Sequence, residues 1–440
     1  MISGPAAAVL ALRPRWLRWP RATWVLADQA VLSLGTFLLS VALARSLSLE
    51  TFGTYALFVS ALPLAQTFGN AVIFYPLSVR ATVLPEPERR RLIRATFKLT
   101  LLAGAPLALL FGIVNRCFVD PALLLPSACL LLSSQIQECT RRGLLCAFRH
   151  RAAIMGDAVS YLGQVLLVVA LARVAALDLA VALYAAAATS VVGALLQSVQ
   201  IGLWRRDPGP VWPVRATLRD YWTLGRWSLG SNALLALRGG VLPWLLASFH
   251  GPVAAGTFQL AVNVVNVANP VVIGIANVIP QAAARGRSGG ARAALRLSLP
   301  YIATGLPIVG LLSLGMILAP ERILDLVYAR SFADPVLFEA VRIMAVGAVF
   351  GFLAAGAGAH LYGSGDGRIA FAGDAATGLA VLAAAVPLVG ALGLLGACVA
   401  AALSLVARTA WMTAVVARRL AQERDRPAPS SPTIAAMDRF

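Results

Sequence analysis

The amino-acid sequence predicts an all-α integral membrane protein, with 12 transmembrane helices in two six-helix lobes related by a parallel internal repeat. Three observations carry this expectation. Of the 440 residues, 59% are hydrophobic and only 13% charged, with a mean hydropathy of +0.79, whereas a soluble domain carries about a quarter charged residues. Twelve apolar windows are long enough to cross a bilayer, which takes about 20 residues of helix. Short sequence patterns from the first half recur in the same order in the second.

The windows of the first half are 24–44, 53–76, 99–115, 121–138, 152–172 and 179–203. Those of the second are 223–249, 253–279, 297–319, 337–359, 369–389 and 391–417. If the N-terminus is cytoplasmic, 28 of the 37 Lys and Arg fall on the side of the termini and 5 in the opposite loops. That asymmetry predicts both termini inside. A formal charge of +18 would suggest nucleic acid in a soluble chain; in these loops it orients helices, and no nucleic-acid partner is expected. The longest external loop is 320–336, too short for a folded external domain.

The start, MISGPAAAVLALRPRW, has no base ahead of its apolar run, and Arg13, Arg15, Arg18 and Arg21 follow it. It does not read as a cleavable signal peptide. Residues 1–23 are expected to form a cytoplasmic amphipathic leader around Trp16, Trp19 and Trp24, and 204–222 a cytoplasmic linker that mixes tryptophan with arginine. Such segments lie at the membrane interface. The lobes are then 24–203 and 223–417, with a cytoplasmic tail at 418–440.

A shift of 203 residues sets Leu43-Ala44 over Leu246-Ala247, Gly53-Thr54 over Gly256-Thr257, and Leu57 over Leu260. Both second helices are expected to end at a proline, Pro76 and Pro280. A shift of 217 sets Arg151, Gly156, Asp157 and Ala158 over Arg368, Gly373, Asp374 and Ala375, each at the start of a fifth helix. Six helices per half is an even number, so the halves share one orientation, the parallel-repeat plan of transporters with a site between two bundles.

A charge at the centre of a span costs about 2.5 to 3.5 kcal/mol on insertion scales, so each needs a reason. Asp28, Glu138, Asp157, Arg226, Arg238, Glu339, Arg342, Asp374 and Arg408 are the candidates. Glu339 and Arg342 are spaced to pair on one helix face, while Glu138 and Arg408 lie near cytoplasmic ends where long side chains reach water. Asp157 and Asp374 sit early in their helices, with an arginine six residues before as the expected partner. Their repetition suggests lobe geometry or gating. Arg238 is near mid-span and too deep to reach water easily. Arg226, twelve residues earlier, is about 18 Å nearer the cytoplasm along a helix.

On a uniform helix Gln259, Asn263, Asn266 and Asn277 share a face, and the second window shows a weaker set in Ser60, Gln66 and Asn70. Amides suit sugar hydroxyls, and they equally serve helix–helix hydrogen bonds. Pro63 and Pro270 are placed to kink these helices. Cys117, Cys129, Cys139, Cys146 and Cys398 read as packing residues, and His150, His250 and His360 fall in loops or at span ends. No metal-ligand spacing, phosphate-binding loop or nucleophile triad is present, so no cofactor and no enzyme activity are expected.

The stretch ADQAVLSLGTFLLSVALARSLSLETFGTYAL, residues 27–57, resembles the opening of bacterial polysaccharide flippases of the multidrug/oligosaccharidyl-lipid/polysaccharide exporter superfamily. Residues 246–285, LASFHGPVAAGTFQLAVNVVNVANPVVIGIANVIPQAAAR, resemble that family at the seventh-to-eighth helix junction. The resemblance implies twelve helices over the whole chain, and first and seventh helices that line a central cavity, with Asp28, Arg226 and Arg238 in its water. The family often carries an acidic residue just after an arginine in the seventh helix. Here the sequence reads Arg238-Gly239-Gly240, so no ion-coupling role is carried over.

The function expected is flipping of a polyprenyl-pyrophosphate-linked oligosaccharide from the cytoplasmic to the outer leaflet of a bacterial inner membrane, by rocking two lobes about a polar cavity. Arg238 and Arg226 attract the pyrophosphate, and the lipid tail stays in the bilayer, which avoids about 0.8 kcal/mol for each CH₂ taken into water. Membrane lipids are partners, as are a polysaccharide polymerase and export proteins. The alternatives are a multidrug or cation antiporter of the same fold, a major-facilitator transporter, and a membrane polymerase or glycosyltransferase. The loop 77–98 lacks the Gly-x-x-x-Asp-Arg pattern of the second, and 45–52 offers only Glu50 to the third.

Overall fold

The computed structural model describes residues 21–205, 209–210, 212–329 and 332–424. The expected leader up to residue 20, part of the linker, and the tail beyond 424 lie outside the described residues. Within these residues there is helix and no strand.

Two compact units divide the chain, the first ending at Ala236 and the second starting at Leu237. The first holds α1 (Arg21–Ser46), α2 (Leu49–Phe68), a π turn at Gly69–Phe74, α3 (Tyr75–Thr82), α4 (Glu86–Phe118), α5 (Leu124–Cys146), α6 (His150–Arg173), α7 (Leu179–Ile201) and the start of α8 (Val214–His250). The second holds the rest of α8, α9 (Pro252–Val265), a 3₁₀ turn at Asn266–Ala268, α10 (Asn269–Gly286), α11 (Gly290–Leu318), the short α12 (Pro320–Tyr328), α13 (Pro335–Ser364) and α14 (Gly367–Arg424). Gly393, at φ 54° and ψ −125°, divides α14 into two arms.

Nine segments among the described residues are long and apolar enough to cross a membrane. Two of these, Pro252–Leu318 and Gly367–Glu423, each hold two spans, and α5, which carries Glu138, Arg141 and Arg142, is the remaining one. The chain is a multi-pass membrane protein of twelve spans. The helices overrun the apolar windows at their arginine-rich ends. The fourth window stops at 138, whereas α5 continues to Cys146 and carries Arg141 and Arg142 on a helix instead of a loop.

The turns are closed by short polar side chains that satisfy the free N–H groups of helix starts, which lipid cannot solvate. Asp178 accepts from the Val181 N–H at 2.6 Å, Asp120 from Ala122 at 2.8 Å, and Asp334 from Val336 at 2.9 Å. Large apolar side chains point outward, as a lipid solvent permits; Leu166 and Leu311 are each 72% exposed. Small residues line the helix contacts. A Cβ on Gly193 of α7 would lie 2.8 Å from the Gly156 carbonyl oxygen of α6, so these helices meet backbone to backbone. At the arginine-rich end of the first unit Phe74, Leu77, Ile93, Leu144 and Tyr221 form a buried cluster. The Tyr221 hydroxyl is 2.8 Å from Thr96 Oγ1, which ties the start of α8 to α4.

Candidate functional site

Among the described residues each unit holds an interior cluster of charge, built around the repeated Gly-Asp pair, buried in the first unit and partly buried in the second. In the first unit Asp157 is fully buried. Its Oδ2 accepts from Arg141 Nε at 2.8 Å, and its Oδ1 from Gln137 Nε2 at 3.2 Å and Gln197 Nε2 at 3.1 Å. Arg141 also pairs through Nη2 with Asp28 of α1 and through Nη1 with Glu138 at 3.1 Å. Arg142 Nε holds the other Glu138 oxygen at 2.5 Å. A further ring of hydroxyls and amides continues the network, with Ser160 donating to Gln137 at 2.8 Å and Thr140 to Gln197 at 2.9 Å. Gly156 is the reason Gln197 reaches Asp157: its missing side chain leaves the space that the Gln197 amide fills. Asp28 Oδ1 is buried with no hydrogen-bond partner.

In the second unit Arg408, on the second arm of α14, grips Asp374 on the first arm, with Nε at 2.5 Å from Oδ1 and Nη2 at 3.4 Å from Oδ2. Gly373 plays the part of Gly156, since the Trp411 indole occupies the space where its side chain would be. Arg238 of α8 approaches the same place. A Cβ at Gly378, one turn beyond Asp374, would lie 3.3 Å from Arg238 Cδ. The charges acting on Arg238 are those of Arg408 and Asp374, yet its half-buried guanidinium has Nη1 without any hydrogen-bond partner.

Several expectations are corrected by this geometry. The partners of Asp157 and Asp374 are Arg141 and Arg408, and not the arginines six residues earlier; six residues on a helix sets two side chains about 120° apart and about 9 Å along the axis, on different faces. Arg151 instead lies over the Trp24 ring at 4.6 Å. Asp28 is 4% exposed and ion-paired, so it is not a water-lined residue. Glu138 and Arg408 do not run out to water but hold the buried pairs just described. The two clusters differ in formal charge, and the positive one is that of the second unit. Its cluster of Arg238, Arg408 and Asp374 carries a formal +1, while Asp28, Glu138, Asp157, Arg141 and Arg142 carry −1.

The amide face of the eighth span is broken by the 3₁₀ turn that begins at Asn266. Gln259 Nε2 donates to Asn263 Oδ1 at 2.8 Å, and Asn263, 6% exposed, also bonds the Tyr328 hydroxyl. Asn266 and Asn277 are exposed. Gln66 reaches Ser134 at 3.5 Å, and Asn70 is exposed at the π turn. Arg226 is exposed and belongs to the first unit. Glu339 and Arg342 do pair, at 2.5 Å. Among the described residues no group of acids, cysteines and histidines is arranged to hold a metal. Cys139, Cys146 and Cys398 are buried and unpaired, whereas Cys117 and Cys129 are exposed.

The residues that sequence reasoning missed are Arg141, Gln137, Gln197 and Trp411. Arg141 was legible as the third residue after Glu138 had the helix been extended; Gln197 and Trp411 carry no signal until the fold brings them to Gly156 and Gly373.

No family model matches the sequence, and no curated protein is significantly similar to it. Solved structures do match. An inward-facing multidrug resistance MATE transporter of the MOP superfamily superposes with a TM-score of 0.73 at 14% identity, covering 92% of this chain and 100% of that one. The lipid II flippase MurJ, in an inward closed conformation, gives 0.74 at 10% identity over 90% and 87% of the two chains. A MOP superfamily transporter from Pyrococcus furiosus, described as having a binding pocket of reverse polarity and a different function, gives 0.64 at 13% identity over 92% and 95%. At these identities the likeness is one of fold.

Proposed function

We propose that this chain is a MOP superfamily transporter that flips a polyprenyl-pyrophosphate-linked oligosaccharide across a bacterial inner membrane by alternating access, for cell-surface polysaccharide synthesis. The observation that carries this reading is Arg238. A guanidinium in the membrane with a buried nitrogen that bonds nothing is costly to keep. A substrate anion would supply the missing acceptor, and the formal +1 of its cluster suits a pyrophosphate. The flippase among the structures of the same fold supports a lipid-linked substrate. Arg226 is a second station for the anion, and the exposed amides Asn266, Asn277 and Asn70, with Gln66 and Gln259, are the candidates for glycan hydroxyls. Asp157 and Asp374, each locked by an arginine, position helices and gate, and Asp28 belongs with them. Lobes at 24–203 and 223–417, cytoplasmic termini, and handover to a polymerase and export proteins complete the proposal.

A second reading, antiport of cationic drugs, is favoured by the −1 of the first unit and by the MATE transporters that share the fold. One reconstitution separates the two. Purified protein in liposomes with labelled polyprenyl-pyrophosphate oligosaccharide is followed for leaflet accessibility, beside Arg238→Ala. Flipping by the wild type alone is the expected result. Equal flipping by both removes Arg238 from the site, and no flipping by folded protein on a matched glycan transfers the proposal to drug antiport.

A further inference from the structure

The second unit contains a cavity that the transport reading does not use. It measures about 360 Å³ and lies where the start of α11, the end of α13, the loop into α14 and the last turns of α14 meet. This is within the range of small-ligand sites, roughly 300 to 1,000 Å³. By the distribution of arginines this end is expected to face the cytoplasm.

The polar groups around the cavity are nearly all engaged. Asp366 is paired with Arg419. The Glu423 carboxylate accepts the Arg292 backbone N–H at 2.9 Å and so caps the start of α11. His360 is 4% exposed, with Nδ1 at 3.1 Å from Ser298 Oγ and Nε2 at 3.4 Å from Ser364 Oγ. The Ser298 proton goes to the Ala294 carbonyl at 2.9 Å, so Nδ1 is the donor to Ser298. Arg287 differs. Among the described residues no hydrogen bond or ion pair engages its side chain, which is exposed and lies over Gly365, where a Cβ would be 2.8 Å from Cζ. Gly365 sits at φ 93°, a left-handed turn that brings the chain under the arginine. Asp366 is neutralised by Arg419, whereas Glu423 bonds a backbone N–H and keeps its charge, so the ionisable lining sums to zero and Arg287 is the cation of the cavity that no acid pairs, with five N–H donors.

We propose that this cavity binds a phosphate-bearing anion, held by Arg287 in charge-assisted hydrogen bonds. The chemistry is shared by an anionic phospholipid headgroup and by a soluble phosphate. Cationic side chains between helices at the cytoplasmic face attract such headgroups, and the fork of an arginine fits a phosphate in two bonds at once. The site is separate from Arg238, so its test does not depend on what the protein transports.

The experiment is a thermal-shift titration of the purified full-length protein with two probes, inorganic phosphate and dioctanoyl phosphatidylglycerol, with dioctanoyl phosphatidylcholine as the control. A saturable rise in melting temperature with one anionic probe is expected, and Arg287→Gln weakens the apparent affinity about tenfold or more, the loss of a charge-assisted bond. Arg287→Lys retains part of it. A response to phosphatidylglycerol alone assigns a lipid, and a response to phosphate alone assigns a soluble ligand. No saturable shift with either probe, or the same shift in Arg287→Gln, overturns the proposal. Ala291→Leu fills the cavity without altering its charge and is expected to weaken binding as well. It keeps the question decidable if the glutamine variant does not fold.

Discussion

Replacing Arg141 by methionine is the most severe single change the first unit offers. The guanidinium touches Asp28, Glu138 and Asp157 and joins α1, α5 and α6. Removing one partner of a buried ion pair costs about 3–5 kcal/mol, because the charge left behind has neither water nor counter-ion. Asp157 keeps the Gln137 and Gln197 amides, but Asp28, already with one oxygen unbonded, keeps nothing shown to hold it. At roughly 2–4 °C per kcal/mol for a unit of this size, the melting temperature falls by about 6–20 °C. Buried thiols report this directly: a thiol-reactive dye reads unfolding of the first unit through Cys139 and Cys146 once Cys117, Cys129 and Cys398 are replaced by serine or alanine. Adding Asp28→Asn and Asp157→Asn to Arg141→Met restores most of the loss, since a buried pair exchanged whole for neutral groups is often near neutral. Arg141→Lys recovers little, because a single ammonium cannot fork toward three carboxylates. A loss of under about 2 °C in Arg141→Met, or no recovery in the triple variant, refutes the view that this arginine holds the three helices together.

Other outcomes follow from the same geometry. Gly193→Leu drives a side chain into the Gly156 carbonyl and separates α6 from α7, and a thermal scan is expected to show a loss of about 1–3 kcal/mol or more, as for overpacking. Glu339→Ala breaks a half-exposed pair with Arg342, and its melting temperature is expected to stay within the effect of about 0–1 kcal/mol typical of surface bridges. A membrane-impermeant maleimide applied to whole cells is expected to label Cys117, exposed in the last turn of α4, in a variant with Cys129 replaced; labelling only after permeabilisation reverses the assigned orientation.

The twelve spans and the duplicated plan were legible because a bilayer imposes length and apolarity on every helix, and each Arg-rich turn marks an end. The repeated Gly-Asp pair was legible as a pair, and its importance follows from both aspartates being buried or nearly so. Its partners were not legible, since each lies across a turn or kink on the neighbouring helical segment, where spacing along one helix says nothing: Arg141 lies 16 residues before Asp157, and Arg408 lies 34 after Asp374. The spacing of six to Arg151 and Arg368 suggested a contact that helical rotation forbids. Ending the fourth span at its first charge hid Arg141, because insertion cost was counted for single residues, whereas an acid and base three apart on one face offset each other. The amide face failed for a different reason, a local change of helix type.

The second span of each unit departs from α geometry, and in opposite senses. The first copy widens at Gly69–Phe74, and the second tightens at Asn266–Ala268, where three residues complete a turn. Past these points one copy runs behind an ideal helix in angular phase and the other runs ahead. A side chain transplanted between the copies by the constant offset of 203 residues therefore keeps its compass bearing through α2 and α9 and changes it in α3 and α10. Chimaeras that exchange these spans should be cut by helical turn and not by residue count, and insertion or deletion of a single residue in either irregular turn acts as a rotation of everything downstream.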